Sequence, residues 1–233
     1  ELYQRAGVPL KMLHTGGDEV PRGVWEKSSD CLEFLAINDH YQDAKSLQSY
    51  FVGRINKILS DRGLVMAGWE EVSMNINSDG SWSPNLNLIG KNVTSYVWNN
   101  LSNNIDLGYR LANAGFPIVL CDVSNLYFDM AYNKDPREPG SYWGGFVDTR
   151  KVWEFIPENL YWSSKRSSLG KLFNSAVDFK ESVRLTKEGL ANISGIQGHL
   201  WSETLNGSDE MLEYYYLPRL IGLSQRAWAA HPQ

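Results

Sequence analysis

The strongest constraint on this chain is an alternation along it. Short apolar runs near residues 8–14, 64–69, 93–98, 117–122 and 195–201 read as strands, with Val8 to Leu13 a short buried one. Between them lie stretches of helical character. Val24 to Leu35 is loosely helical. Asp43 to Leu59 is amphipathic, with Leu47, Tyr50, Phe51, Ile55 and Leu59 on one face and Asp61-Arg62-Gly63 closing it. Ile105 to Ala114 stops at Gly115, residues 171–190 are polar and partly helical, and a final helix from Ser208 to Ala230 is expected to kink at Pro218. Strands alternating with helices indicate parallel βαβ units. Each apolar run is followed by polar or aromatic residues at its C-terminal end, where (β/α) barrels keep their active sites. A closed barrel of that kind needs eight strands. The sequence offers five, so the expected fold is α/β, a partial (β/α)8 TIM barrel.

The remaining features narrow the class. With 22 basic and 27 acidic residues, nothing points to nucleic acid or an anionic membrane. No apolar run reaches transmembrane length. Cys31 and Cys121 are too few for a disulfide framework and read as free thiols. Four Asn-x-Ser/Thr sites, at Asn92, Asn100, Asn192 and Asn206, do not by themselves assign a compartment. Ser73 to Lys91 reads as a polar loop, and Ala131 to Tyr161 as a long insert rich in Pro, Gly and Trp, of the length that usually carries function. The chain opens at Glu1 inside what reads as a helix end, so an N-terminal cut is expected. Nine Trp and twelve Tyr exceed what a core of this size requires. Flat aromatic faces suit the apolar C–H face of sugars. Trp153, Trp162 and Trp228 fit an ordinary core role; the tryptophans at strand ends fit it less well.

The chemistry concentrates in His14-Thr15-Gly16-Gly17-Asp18-Glu19-Val20. Two glycines at a strand's end allow a sharp turn and close approach of the backbone. Side chains of neighbouring residues in a regular strand point to opposite faces, but a turn after Gly17 can bring Asp18 and Glu19 into one cleft. Neighbouring carboxylates repel, so one holds its proton near neutrality while the other stays ionised. Such a pair supplies the acid and the anion that glycoside hydrolysis needs. A bare Asp-Glu pair also fits a loop of two solvated acids, and Asp18 alone fits a helix cap.

The stretch resembles the active-site strand of family 20 glycoside hydrolases, the β-N-acetylhexosaminidases, whose signature is His-x-Gly-Gly-Asp-Glu. The whole chain resembles the later part of that family's catalytic barrel, roughly strands four to eight with their helices, in matching order over residues 1–233. The resemblance implies substrate-assisted hydrolysis of terminal β-linked N-acetylhexosamine with retention: the 2-acetamido oxygen attacks the anomeric carbon and forms an oxazolinium ion. It makes Glu19 the general acid/base and Asp18 the acceptor of the acetamido N–H. Tyr127 would donate its hydroxyl to the acetamido oxygen. Trp69, Trp98 and Trp201 would wall the sugar, Asp129 and Glu203 would bind its hydroxyls, and Trp143 would lie on the aglycone side. His14 would pack and hydrogen-bond behind the carboxylates, and His199 would sit in the core. Tyr214 through Trp228 resembles the family's structural closing helix. Neither a metal nor another cofactor is implied, since no residue cluster has ligand spacing and no phosphate loop is present.

The departure from the family lies upstream. The family's early-strand Arg, which holds the 3- and 4-hydroxyls, has no counterpart here, and the first three βα units are expected to be missing. The expected partners are an N-acetylhexosamine-containing oligosaccharide and either the missing N-terminal barrel segment or a second copy of the chain, with no nucleic acid and no membrane. The resemblance favours a periplasmic, extracellular or lysosomal setting. An alternative reading is a non-catalytic carbohydrate-binding half-barrel that keeps the aromatic platform.

Overall fold

The computed structural model describes residues 1–21, 23–41, 43–77, 81–205 and 207–229. The expected sequon at Asn206 and the helix end at Ala230 lie outside the described residues. Two compact units divide the chain, Glu1–Tyr96 with Ala114–Pro117, and Val97–Asn113 with Ile118–Gln233.

In the first unit, β1 (Met12–His14) pairs in parallel with β2 (Val65–Trp69), with Leu13 opposite Met66. The hairpin of β3 (Met74–Ile76) and β4 (Trp82–Pro84) is antiparallel, with Asn75 opposite Ser83. β5 (Val93–Val97) then runs parallel to β2, and its Ser95 N–H donates to the Pro117 carbonyl at 2.9 Å. In the second unit β6 (Ile118–Leu120) is parallel to β7 (Ile193–Ile196), and Cys121 N–H donates to the Val97 carbonyl at 2.7 Å. Within the first unit the hydrogen-bonded order is β1-β2-β5 and within the second β6 pairs with β7, each of these pairs parallel, so the five expected strands are observed.

Three expectations change in the first unit. The first strand is three residues long and exposed throughout, with Leu13 45 % exposed, instead of a buried run from Val8. Gly7 at φ +67° and the missing N–H of Pro9 end extended pairing upstream. The helix begins at Leu47, because Asp43 caps a separate 3-10 turn over Ala44–Ser46 by accepting from the Lys45 and Ser46 amides. Its buried side chains are Leu47, Val52, Asn56 and Leu59, while Phe51 lies in solvent. The stretch read as a polar loop holds the β3–β4 hairpin, whose residues lack the strict alternation that announces a strand.

In the second unit, the helix Asp209–Trp228 runs unbroken through Pro218. Pro218 has no N–H for the Tyr214 carbonyl, and the Tyr132 hydroxyl donates to that carbonyl instead, at 2.8 Å. One position further on, Arg219 is fully buried. It donates to the carbonyls of Val147 (2.8 Å), Tyr215 (2.9 Å) and Met130 (2.6 Å), and its guanidinium lies 3.5 Å from the centre of the Tyr132 ring. The long insert is thereby pinned to the helix and is ordered, with helical turns at Thr149–Trp153 and Leu160–Ser163. Both cysteines are free thiols. The core role expected of Trp162 and Trp228 is not observed. Trp228 is 92 % exposed at the helix end, and Trp162 faces solvent with the Lys165 ammonium 4.5 Å from its ring centre.

Candidate active site

The turn after β1 is locked onto the end of β2. Thr15 donates to the Ala67 carbonyl through both its amide (2.8 Å) and its hydroxyl (3.0 Å), and Trp69 N–H donates back to the Gly16 carbonyl at 3.1 Å. Glycine is required at Gly17, where φ is +101° and a Cβ would stand 2.5 Å from Val72 Cγ1. It is required again at Gly68, where a Cβ would meet the Gly16 carbonyl at 2.9 Å. The Gln48 side chain closes the turn by donating to the Gly17 carbonyl at 3.1 Å. Glu19 follows in a left-handed conformation, φ +52°, which a non-glycine residue adopts only when its surroundings hold it there.

Glu19 lines a cavity of about 280 Å³ with Glu71, Trp25, Trp82, Gln48 and Ile76. Asp18 is half-buried in the same turn. The acid whose pKa the surroundings raise most clearly here is Glu71, in the 3-10 turn Glu70–Ser73 that follows β2. Burial pushes it up to about 7, and the negative charges of Asp18 and Glu19 push the same way. Its own amide and that of Glu19 favour the ionised form. Glu71 Oε2 is buried with no hydrogen-bond partner among the described residues. His14 sits edge-on to Trp69 (5.0 Å between ring centres) and Tyr96 (4.8 Å), and its Nδ1 accepts from the Gly16 amide at 3.3 Å. Burial lowers the His14 pKa and Asp18 raises it, the first effect being larger, so the ring favours its neutral form.

In the second unit, the chain after β7 places His199 beside Tyr127. Phe128 N–H donates to the His199 carbonyl and His199 N–H to the Leu126 carbonyl (2.9 Å). A Cβ at Gly198 would stand 2.5 Å from the Phe128 ring, so only glycine permits the approach. Tyr127 is the hub of an aromatic cluster, with ring centres 6.0 Å from Trp143, 6.3 Å from Trp201 and 5.3 Å from His199; Trp98 reaches Trp143 at 6.1 Å. Trp143 gets there because Ser141 N–H donates to the Asp129 carbonyl (2.9 Å) and Ala131 N–H to the Ser141 carbonyl (2.6 Å), anchoring the start of the insert. Tyr127 and Asp129 are buried, while Trp143 and Trp201 are exposed, at 49 % and 40 %. Burial raises the Asp129 carboxyl to about 6, its own amide and that of Trp201 oppose this, Glu203 raises it further, and Arg219 lowers it.

The structure thus gathers the expected residues in two sets. His14, Asp18, Glu19 and Trp69 belong to the first unit, and Trp98, Tyr127, Asp129, Trp143, Trp201 and Glu203 to the second. His199, assigned a core role from sequence, is only half-buried and belongs to the aromatic cluster. Glu71 and Tyr96 were not anticipated. The signal for Glu71 was present, since Glu70-Glu71 follows an apolar strand just as Asp18-Glu19 does. Among the described residues, no group of three or more His, Cys, Asp or Glu side chains is placed to hold a metal ion.

With that geometry established, similarity to known proteins is informative. The family model for the catalytic domain of glycosyl hydrolase family 20 matches residues 3–231. The chain is 33 % identical over 235 residues to a β-hexosaminidase of Vibrio vulnificus, covering 98 % of this chain and 26 % of that protein. It is 33 % identical over 230 residues to β-hexosaminidase B of Pseudoalteromonas piscicida, covering 97 % and 28 %. The solved structure of a family 20 exo-β-N-acetylglucosaminidase from Vibrio harveyi with N-acetylglucosamine matches at a TM-score of 0.69 and 26 % identity, over 98 % of this chain and 30 % of that one. The chain spans about a quarter of the length of the curated relatives it matches.

Proposed function

Because this chain belongs to glycosyl hydrolase family 20, we propose that it is the later part, strands four to eight, of a (β/α)8 catalytic domain that removes terminal β-linked N-acetylhexosamine. The substrate is GlcNAc, and GalNAc as a second sugar, at the non-reducing end of chito-oligosaccharides or glycans. The observation that carries the reading is the glycine-locked turn of residues 15–19, which holds Glu19 at a cavity wall with Asp18 beside it.

In this reading Glu19 is the general acid/base. The substrate's acetamido oxygen attacks the anomeric carbon, the glycosidic C–O bond breaks, and the leaving oxygen takes the Glu19 proton. Water then opens the oxazolinium ion and returns a proton to Glu19. Asp18 accepts the acetamido N–H and stabilises the positive charge, while Tyr127 donates to the acetamido oxygen. Fixing that internal nucleophile in line supplies much of the rate. Trp69, Trp98 and Trp201 contact the sugar, Asp129 and Glu203 bind hydroxyls, Trp143 meets the aglycone, and His14 supports the turn from behind.

Experiments on the enzyme carrying this chain test the proposal. Glu19→Gln should slow turnover of chitobiose by roughly two to four orders of magnitude, with a smaller loss on an activated aryl glycoside that needs little protonation. Wild-type turnover of chitobiose by that variant would remove Glu19 from the role. A glucoside with a plain 2-hydroxyl should be cleaved very poorly, and a thiazoline mimic of the oxazolinium should inhibit far better than GlcNAc. A covalent sugar trapped on Asp18 or Glu19 would favour a two-carboxylate route, and sugar binding without cleavage would favour a binding module.

A further inference from the structure

The second unit buries three polar side chains in series, Asn100, Ser124 and Asn125. Asn100 and Ser124 clasp each other with two bonds. Asn100 Nδ2 donates to Ser124 Oγ at 2.7 Å, and the Ser124 amide donates to Asn100 Oδ1 at 3.2 Å. The Ser124 hydroxyl donates in turn to Asn125 Oδ1 at 2.8 Å, and Asn125 Nδ2 donates to the Lys151 carbonyl at 3.2 Å. The side-chain donors all point the same way, from Asn100 toward the insert, an arrangement in which successive bonds polarise and strengthen one another. The Asn100 carboxamide, in one of the four Asn-x-Ser/Thr sites, is thus engaged at both ends. The segments joined in this way carry the aromatic rings. The Trp98 carbonyl, just past the end of β5, accepts from the Asn100 amide (3.1 Å) and the Val123 amide (2.9 Å). Ser124 and Asn125 lie in the helical turn Val123–Leu126, and the next residue is Tyr127. Lys151 lies in the turn Thr149–Trp153, so Trp143 sits between the Ser141 anchor and the bond from Asn125.

We propose that Asn100, Ser124 and Asn125 are positioning residues for the aromatic cluster: their hydrogen bonds set Trp98, Tyr127 and Trp143 at their spacing around the substrate. The proposal deepens the reading of those rings as substrate contacts and rests on it for its catalytic meaning. Stability alone does not require these side chains. Apolar groups of the same shape would fill the space at little net cost, since a buried hydrogen bond returns only slightly more than the hydration it gives up. Fully satisfied buried polar groups add a single arrangement, because sliding one segment against another leaves a donor or acceptor unpaired in a site that water does not reach. The cluster depends on such an arrangement. Its rings come from three segments distant in sequence and meet at 6.0 Å (Tyr127 to Trp143) and 6.1 Å (Trp98 to Trp143). A misplacement of about 1 Å costs up to roughly two orders of magnitude in rate. Here it would carry the Tyr127 hydroxyl away from the acetamido oxygen, and the loss would fall on kcat more than on KM.

The test reads ring geometry and kinetics together in the enzyme carrying this chain. Trp98 and Trp143 are close enough for their indoles to couple, and their couplet in circular dichroism is the part of the spectrum lost in Trp98→Phe and in Trp143→Phe alike. Ser124→Ala removes the hydroxyl shared by two of the bonds. It should weaken that couplet and lower kcat by ~10-fold or more with KM little changed, and Ser124→Thr should restore both. Tyr109→Phe is the control for a structural loss, because the Tyr109 hydroxyl bonds the Pro157 carbonyl and the Leu160 amide, outside the cluster. It should lower the unfolding midpoint and leave couplet and kcat as they are. An unchanged couplet in Ser124→Ala overturns the proposal. Equal losses of couplet and kcat in Tyr109→Phe would mean a merely structural role and overturn it too. Should Ser124→Ala fail to fold, Ser124→Cys keeps the shape with only a weak donor and should shrink the couplet; an undiminished one overturns the proposal. Hydrolysis by Glu19→Gln reads the catalytic assignment separately, because the couplet needs no turnover.

Discussion

Gly17 illustrates how one residue carries both fold and chemistry. Its φ of +101° and the 2.5 Å at which a Cβ would stand from Val72 Cγ1 leave no room for a side chain. Gly17→Ala should cost ~2 kcal/mol or more in urea unfolding, because it meets backbone strain and a clash together. Asp122 is a different kind of residue-scale case. Burial pushes its carboxyl up to about 8, opposed by its own amide and by Asn100, and Oδ2 has no partner among the described residues. A folded-state value above the unfolded one means that the native state binds the extra proton. Stability is therefore lost as pH rises from about 4 to about 8 and is flat beyond. Asp122→Asn, nearly isosteric and uncharged, should remove that slope and gain at least ~1 kcal/mol at pH 8, read from denaturant midpoints at several pH values. The glycines and paired acids at 16–19 were legible in sequence. Glu70-Glu71 shows the same strand-end pattern, but that Glu71 is the acid with the raised pKa depends on its burial and on a turn 52 residues earlier, counting back to Glu19.

At the scale of elements, the helix Asp209–Trp228 shows a local rule overridden by tertiary contacts. Pro218 removes one bond from the helix, which spans it all the same, and Tyr132 satisfies the stranded Tyr214 carbonyl. Arg219 makes the neighbouring connection with three carbonyls and no carboxylate. Arg219→Lys should destabilise the protein by ~2–4 kcal/mol in thermal or urea unfolding. A single ammonium cannot serve carbonyls on three segments, and those left over stay buried and unpaired. Tyr132→Phe should cost less, ~1 kcal/mol, since only one hydrogen bond is lost. The long helix at Leu47–Ser60 teaches the reverse lesson: its existence was plain from periodicity, but its buried face was not. Which face turns inward is set by partners distant in sequence, as where Asn56 donates to the Lys91 carbonyl at 2.8 Å.

At the scale of the whole molecule, β1 is the exposed element. It pairs with β2 on one side, all three of its residues are exposed, and Val8, at 54 %, adds apolar surface beside it. A strand in that state offers unpaired N–H and C=O groups and an apolar face to any second strand. The isolated 233-residue chain should therefore run above monomer mass in light scattering, and Leu13→Lys should shift it back toward monomer. A wild-type monomer at all concentrations would show that the edge is not sticky.

By itself the sequence determined the strand–helix alternation, the parallel sense of the strand pairs, the free thiols and the motif that places this chain in its family. These depend on apolar periodicity, turn residues and short spacings, which are local. Tertiary structure decided which face of Leu47–Ser60 is buried, that the segment from Met74 to Pro84 carries a hairpin, and that His199 joins Tyr127, Trp143 and Trp201. It also decided that the raised acid beside the Asp18-Glu19 turn is Glu71. Each of those depends on burial and on neighbours distant in sequence, and desolvation has no signature in a linear string of residues.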